Sequence, residues 1–295
     1  MKADLYISNL SFAWNGSDTE AIIRRKISGF CDLMARIHEF PERNSVFVNY
    51  SSESTSTVID QSGTGLLVLV FEHDKGREYL GRDLYNRFLN AFSYSSEVTS
   101  LSEQDLLDLL QMEEADNHYN GILVLNKTSA YPDSVQIVST IREWIKFRRV
   151  LLVQQPESGQ NFLEESVMCF PNLVIHEDNA SPLDSLIKTH IRRITECLSV
   201  LNDHFTDDLK SFHGTHPLFV SHFGSTYGLD GSSFEGTGDE KFNKQFPDLS
   251  IHYCEPHLKM YHDDIGNGNR HCRIYFEFPP DNSTAIYVGF ICEHL

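Results

Sequence analysis

Histidine is concentrated in the last third of this chain. Nine of the fourteen histidines follow Leu201, namely His204, His213, His216, His222, His252, His257, His262, His271 and His294. Histidine changes charge near neutral pH, and its ring nitrogens also bind metals. This distribution indicates that proton-transfer chemistry or metal binding would belong to the C-terminal third.

Cysteines accompany several of these histidines, which makes a zinc site one hypothesis. The nitrogen and sulfur ligands would come from His252, Cys254, His257, His271, Cys272, Cys292 and His294. Such ligands suit tetrahedral zinc. However, no pair has the CxxC or HxxxH spacing that is typical of zinc knuckles. The sequence therefore predicts neither a metal nor a cofactor, and zinc stays the competing hypothesis.

A second pattern in this region combines basic residues with histidines on three β-like runs. The order is His257-Leu-Lys259, a turn, Arg273-Ile-Tyr-Phe276, a second turn, and Ile286-Tyr-Val-Gly-Phe-Ile291 before His294. This order, over residues 249–295, resembles the RelE/YoeB-type toxin endoribonucleases. Those small proteins carry basic and acid/base side chains on a curved antiparallel sheet, and they cut messenger RNA, commonly on the ribosome.

The resemblance implies roles for four residues. Lys259 and Arg273 would face the scissile phosphate, and His257 and His294 would be the candidates for proton transfer. RNA cleavage through its own 2′-hydroxyl needs a base, cations near the pentavalent phosphorane and an acid for the departing 5′-oxygen. Arginine suits the second role because it stays charged and offers a fork of donors. This chemistry requires no metal.

The net charge limits this interpretation. The 295 residues carry 24 Lys+Arg and 42 Asp+Glu, for a formal charge of −18. Six basic and 14 acidic residues follow position 200, so the same third that holds the candidate site has a net charge of −8. A chain this acidic repels a polyanion unless cations are locally concentrated, which excludes an unassisted nonspecific nucleic-acid binder. An acidic surface also suits a basic partner protein.

Short β-type runs alternate with helical patterns along the first two thirds of the chain. Apolar residues at helical spacing in 23–37 predict one helix, and a similar stripe from Leu183 to about Phe205 predicts a long one. Buried strands are predicted at 66–71, 122–125 and 150–153. This alternation favours a parallel or mixed sheet with helices on its faces. No GxGxxG or GxxxxGK[ST] motif follows these strands, so neither familiar phosphate loop is supported.

The last ninety residues are organised differently. A Gly-rich stretch at 224–238 is predicted to be an irregular loop. The runs at 249–260, 272–278 and 285–292 are joined by turn-forming residues, which favours an antiparallel three-stranded sheet. We therefore expect an α/β N-terminal domain over about 1–180, with a possible sensor or partner-binding role. An α+β C-terminal domain with a small antiparallel sheet follows over 181–295.

The expected location is the cytoplasm. The sequence contains no run of about 18 apolar residues, so no membrane span is predicted, and the N-terminus lacks the pattern of a signal peptide. The six scattered cysteines indicate free thiols in a reducing compartment. The functional hypothesis is a toxin-like, metal-independent endoribonuclease effector in prokaryotic antiviral defence, with an inhibitory or regulatory protein partner. The alternative is a noncatalytic interaction or regulatory subunit of a defence complex.

Overall fold

The structure is a computed structural model, in which helices and strands are mixed along the chain. It describes residues 2–12, 16–49, 73–93, 97–99, 101–111, 118–127, 133–154, 157–212, 216–232, 239–260, 272–278 and 284–293. Two compact units are formed by Met1–Phe147 and Arg148–Leu295. The sequence places a domain boundary near residue 180, which lies within the second of these units.

The first unit is built on a parallel sheet. Its strands are β1 (Lys2–Ile7), β2 (Asn44–Asn49), β3 (Glu97–Thr99), β4 (His118–Leu123) and β5 (Ile137–Val138). Its helices are α1 (Glu20–His38), α2 (His73–Leu80), α3 (Arg82–Ser93) and α4 (Glu103–Gln111). Among the described residues, the strand order is β3-β2-β1-β4-β5, and every pairing is parallel.

Helix α1 shows why the local pattern was readable. Ile23, Ile27, Phe30, Met34 and Ile37 recur every three or four residues, and all five are buried. Such spacing places them along one stripe of a helix, which must be covered to remove apolar surface from water. The predicted helix is therefore confirmed.

The second unit has longer helices and a mixed sheet. Helix α5 (Ile141–Gln154) contains the boundary between the units, and α6 (Gly159–Cys169), α7 (Ala180–Ser211) and α8 (His216–Thr226) follow. The strands are β6 (Leu173–Ile175), β7 (Asp230–Ser232), β8 (Asn243–Gln245), β9 (Ile251–Tyr253), β10 (His257–Met260), β11 (Cys272–Glu277) and β12 (Ile286–Cys292).

Strands β10, β11 and β12 form the predicted antiparallel arrangement inside a larger sheet. Within the described chain, the sheet has the order β6-β12-β11-β10-β7. Strand β6 joins β12 in parallel, and β7 joins β10 antiparallel. The expectation of a small antiparallel sheet is therefore confirmed, and two neighbours are added to it.

One face of this sheet is apolar and packs against α7 and α8. The stripe of α7 is buried as predicted, and it ends at Phe205. The Phe205 ring lies 5.1 Å from the rings of Phe219 and Phe223 on α8 and also 5.1 Å from that of Phe276 on β11. These edge-to-face contacts are typical of aromatic cores, and they join both helices to the sheet.

The opposite face, here called the outer face, is partly covered by the β8–β9 hairpin. The Phe242 ring lies 5.8 Å from Tyr275, and the Lys244 ammonium lies 5.1 Å from the Phe290 ring. Gly289 permits this close approach, because a Cβ at that position would lie 2.7 Å from the Cys254 sulfur. The hairpin therefore leaves the β10–β11 end of the outer face for the residues described below.

Two predictions of strands have different outcomes. Residues 150–153 belong to helix α5, so the prediction of a strand there is wrong. A run of Val and Leu is ambiguous between a buried strand and one buried side of a helix, and here the helix begins nine residues earlier. The predicted strand at 66–71 lies outside the described residues.

Candidate functional site

Lys259 and Arg273 lie directly opposite each other on neighbouring strands. In the antiparallel register of β10 and β11, Lys259 pairs with Arg273 and His257 pairs with Tyr275. Side chains two residues apart on a strand share a face, and opposed Cβ atoms are about 4.5–5.5 Å apart. Three of the four predicted site residues, His257, Lys259 and Arg273, are thus brought together.

The fourth, His294, lies outside the described residues.

Part of the predicted irregular stretch at 224–238 is regular. Helix α8 continues to Thr226, and Asp230–Ser232 forms β7 beside β10. Gly231 is required there, since a Cβ would lie 2.3 Å from the Val220 carbonyl oxygen. Gly231 thus allows the backbones of β7 and α8 to pack closely at the edge of the sheet.

Arg273 has a neutral partner. Its Nη1 donates to the Tyr275 hydroxyl at 3.2 Å, and its Nε is buried without a hydrogen-bond acceptor among the described residues. On the other side, Arg273 pairs in register with Cys292. Burial raises the pKa of the Cys292 thiol to about 11, with Arg273 acting in the opposite direction, so the thiol stays neutral near pH 7. Within the described part of the chain, no carboxylate forms an ion pair with Arg273.

Among the described residues, Lys259 has a carboxylate partner at the limit of an ion pair. Its Nζ lies 4.0 Å from Asp230 Oδ2, across from it on β7, and the lysine side chain is half-buried. A cavity of about 270 Å³ opens at this end of the sheet and is bordered by Lys259, Asp230 and Arg193. Two like charges directly opposite on a sheet are destabilising unless something compensates them. The pair of Lys259 and Arg273 therefore favours an anion on the outer face, whereas the cavity is lined by Lys259 and not by Arg273.

His257 is not placed to exchange protons with solvent. The residue is 5% exposed, and its Nδ1 contacts the Glu255 carbonyl oxygen at 3.1 Å. A carbonyl can only accept, so this contact places a proton on Nδ1. The ring lies 4.7 Å from that of Tyr275, which in turn accepts from Arg273. In this arrangement His257 supports the ring that orients the guanidinium.

Tyr275 is a residue that the sequence reasoning missed. Its hydroxyl is the acceptor that holds Arg273, and it lies two positions further along the same strand. The period of two in strands was the available signal. Glu277, two residues beyond Tyr275 on β11, contacts Nδ1 of His252.

The described residues give the zinc hypothesis no group of ligands. Among the residues that the structure describes, no three His, Cys, Asp or Glu side chains are grouped closely enough to hold a metal ion. His271 and His294 lie outside that part of the chain. The six cysteines are free thiols, as predicted.

The first unit has its own concentration of polar side chains. Strand order reverses between β1 and β4, and such a point in an open parallel sheet forms a crevice beyond the carboxyl ends of the strands. Near those ends, Lys26 contacts both Asp18, at 2.6 Å, and Asn126, at 2.5 Å. Ser11 accepts from the amide of Ser8 at 2.9 Å.

Comparison with known proteins yields no relative. No protein-family model matches the chain, and no curated protein or solved structure matches it significantly. Within the described residues, none of the helices is both long and apolar enough to span a membrane.

Proposed function

We propose that the second unit is a metal-independent endoribonuclease of the toxin type, with Lys259 and Arg273 bound to the scissile phosphate. The observation that supports this proposal most is the cross-strand pairing of the two cations. They face one another on β10 and β11, and in the described part of the chain the ion pair of Lys259 is with Asp230, at 4.0 Å. A phosphodiester would compensate both charges at once.

In the proposed reaction, the RNA 2′-oxygen attacks the adjacent phosphorus. The bond from phosphorus to the 5′-oxygen breaks, which leaves a 2′,3′-cyclic phosphate and a 5′-hydroxyl end. Arg273 and Lys259 stabilise the charge on the nonbridging oxygens, which is usually the largest contribution of such a site. Tyr275 and the buried His257 keep the guanidinium in place. Proton transfer is assigned to His294, which takes the proton of the 2′-hydroxyl and returns it to the departing 5′-oxygen.

The acidic surroundings restrict how RNA can bind. The region after position 200 has a net charge of −8, so the cation pair is a small basic island. Few phosphates can then be neutralised, and binding depends strongly on these two side chains. We infer that a ribosome or a partner protein supplies further cations in a cytoplasmic defence or toxin system.

The test is cleavage of a fluorescent RNA in the presence of EDTA by wild type, Arg273→Ala and His294→Ala. The matched control is Arg192→Ala, which removes the same charge from an exposed position on α7. Wild type and Arg192→Ala should release the cyclic phosphate product. Arg273→Ala should lose both binding and cleavage, whereas His294→Ala should bind and fail to cleave. The same RNA with 2′-deoxy residues should stay intact.

Equal cleavage by wild type and Arg273→Ala would refute the proposal. Expression toxicity gives an independent measurement, because a nuclease should slow growth and the Arg273→Ala, His294→Ala double variant should not. If neither protein slows growth and neither binds RNA, the alternative function is favoured.

That alternative is a noncatalytic interaction or regulatory subunit of a defence complex. The excess of acids, 42 against 24 basic residues, favours it because such a surface attracts a basic protein partner. For the first unit we propose a sensor or partner-binding role. Its support is the polar cluster of Asp18, Lys26 and Asn126 near the point where the strand order reverses.

A further inference from the structure

Four side chains of the second unit form a series of hydrogen bonds from the turn of the β8–β9 hairpin to the sheet. Asp248 Oδ1 contacts Ser250 Oγ, and Ser250 Oγ lies 2.7 Å from Nε2 of His252. On the other side of the imidazole, Nδ1 contacts Oε2 of Glu277 on β11. The first two contacts lie within the hairpin, whereas the third joins the hairpin to the outer face.

The number of protons in this series fixes the direction of each hydrogen bond. Three contacts between four groups need three protons, of which the Ser250 hydroxyl brings one and a carboxylate brings none. Asp248 is a carboxylate, because hydrogen bonds from the Ser250 hydroxyl and amide hold its pKa below the usual range. Ser250 therefore donates its proton to Asp248, and its oxygen accepts from Nε2 of His252.

Both ring nitrogens of His252 then carry protons. Nε2 donates to Ser250, and Nδ1 faces Glu277. A carboxylic acid gives up its proton at a lower pH than an imidazolium does, so the proton between these two groups lies on the ring. The imidazole is therefore a cation. A neutral ring has one proton to donate, so one of the three contacts would then hold two acceptors facing each other.

The groups around the ring are compatible with this charge. The His252 side chain is 12% exposed, and its ring stacks on Tyr287 of β12 with centroids 3.6 Å apart, while Phe246 of β8 lies edge-on at 5.1 Å. Aromatic faces attract cations. Lys244 lies opposite His252 on β8, and its ammonium pairs with Asp178. The positive charge next to the ring is thus compensated.

A second histidine contacts the hairpin in a different protonation state. Nε2 of His176 lies 2.8 Å from the Gln245 carbonyl oxygen, which can only accept, and Nδ1 accepts from the Asp178 amide at 3.1 Å. One nitrogen donates and the other accepts, so this ring is neutral. His176 therefore holds β8 without an additional proton, and the requirement for two protons belongs to His252.

We propose that the doubly protonated ring of His252 is a pH-sensitive contact that holds the β8–β9 hairpin on the outer face. The docked hairpin needs one proton more than the released hairpin, in which water satisfies the neutral ring. Docking therefore weakens as pH rises through the range of about 5–8 in which histidine generally changes charge. The hairpin covers Tyr275 and Phe290, so its release uncovers the part of the outer face next to Arg273.

Labelling of Cys254 by a thiol reagent measures release of the hairpin, because this residue follows β9 and is 0% exposed. The rate in the full chain is divided by the rate of the same thiol in the urea-unfolded chain at the same pH, which removes the pH dependence of the thiol itself. In wild type, the resulting protection should fall at least about 10-fold between about pH 6 and pH 8.5, because hydrogen bonds to charged groups are the strong ones.

Two variants change the number of protons in opposite directions. His252→Phe keeps a ring on Tyr287 but brings no proton, so Cys254 should have the same low protection at both pH values. Glu277→Gln supplies the missing proton from its amide, so it should keep its protection within about twofold as pH rises. The matched control is His222→Phe, the same substitution at an exposed position on α8, and it should behave as wild type.

Nitrogen-15 NMR of histidine-labelled wild type gives a second measurement that needs no variant to fold. Both ring nitrogens of His252, assigned through contacts with Tyr287, should carry protons at about pH 6. A nitrogen without a proton at that pH overturns the proposal, as does protection of Cys254 that falls equally in wild type and Glu277→Gln. Circular dichroism of each variant shows whether the fold is retained. None of these outcomes depends on whether the protein cleaves RNA.

Discussion

The buried ion pair of Arg148 and Glu165 joins helices α5 and α6 within the second unit, and both side chains are 0% exposed. Removing one partner leaves a charge in the core that water cannot reach. Such a break costs about 3–5 kcal/mol, because the remaining charge keeps its desolvation penalty and loses its attraction. We therefore expect Glu165→Leu to reduce the free energy of unfolding by that amount. Arg148→Met should do the same.

The double variant separates the two components of this cost. With both charges replaced by apolar side chains of similar volume, the desolvation penalty disappears together with the attraction. Arg148→Met, Glu165→Leu should therefore recover most of the stability that each single variant loses. Urea unfolding followed by circular dichroism measures the three free energies. With a slope of about 1–3 kcal/mol per molar urea, the single variants should shift the midpoint by more than about 1 M.

A local probe assigns the change to the correct unit. Cys169, the last residue of α6, is fully buried, and burial raises its pKa to about 12. Its labelling by a thiol reagent should begin at lower urea in the single variants than in wild type. A loss below about 1 kcal/mol in both single variants, or a double variant no more stable than they are, would refute the reasoning.

Three further predictions concern the hairpin, acid stability and RNA binding. Leu249 has a positive φ of 68° and is exposed, so Leu249→Gly should raise the free energy of unfolding in urea by about 0.5–1 kcal/mol; an unchanged value would contradict this. Burial raises the pKa of Asp203, but the hydrogen bonds from Arg149 and Asn202 lower it by a larger amount, so the net shift is downward. The stability that the ionised Asp203 contributes is present above the unfolded pKa of about 3.9 and is lost as pH falls through the folded pKa. Asp203→Asn should therefore lose less stability than wild type on acidification below about pH 4. Each phosphate contact to single-stranded RNA contributes about 0.7 to the slope of log K against log salt, so Arg273→Ala should reduce the slope measured by fluorescence anisotropy by about 0.7, and Arg192→Ala should leave it unchanged.

Local patterns predicted the elements whose signal is contained in neighbouring residues. The helices at 20–38 and 180–211 bury the apolar stripes that their spacing indicates. The strands around 272–277 and 286–292 were also readable, because alternation and turn residues act over a few positions. The same local approach failed at 150–153, where Leu151 and Leu152 are the buried residues of a helix turn. Burial against neighbours, rather than intrinsic preference, decides such runs.

The candidate site shows the same limit. The types of Lys259 and Arg273 were sufficient to select them, but their direct opposition depends on the register of β10 and β11. Thirteen residues separate them in the sequence, so a short window does not show that they meet. The burial of His257 depends on Tyr275, and the contact between His252 and Glu277 joins residues 25 apart. None of these can be seen in a window of a few residues.

The sequence by itself therefore determined the composition of this protein: an acidic chain, free thiols, helices with apolar stripes, and a C-terminal third rich in histidine and β-type runs. Tertiary structure alone decided which of its polar side chains meet. It joined β6 and β7 to the sheet, placed Lys259 opposite Arg273, buried His257, and brought Ser250 and Glu277 to the ring of His252. The physical reason is that secondary structure follows from short-range periodicity, whereas a site follows from the register and packing of strands that are distant in the chain.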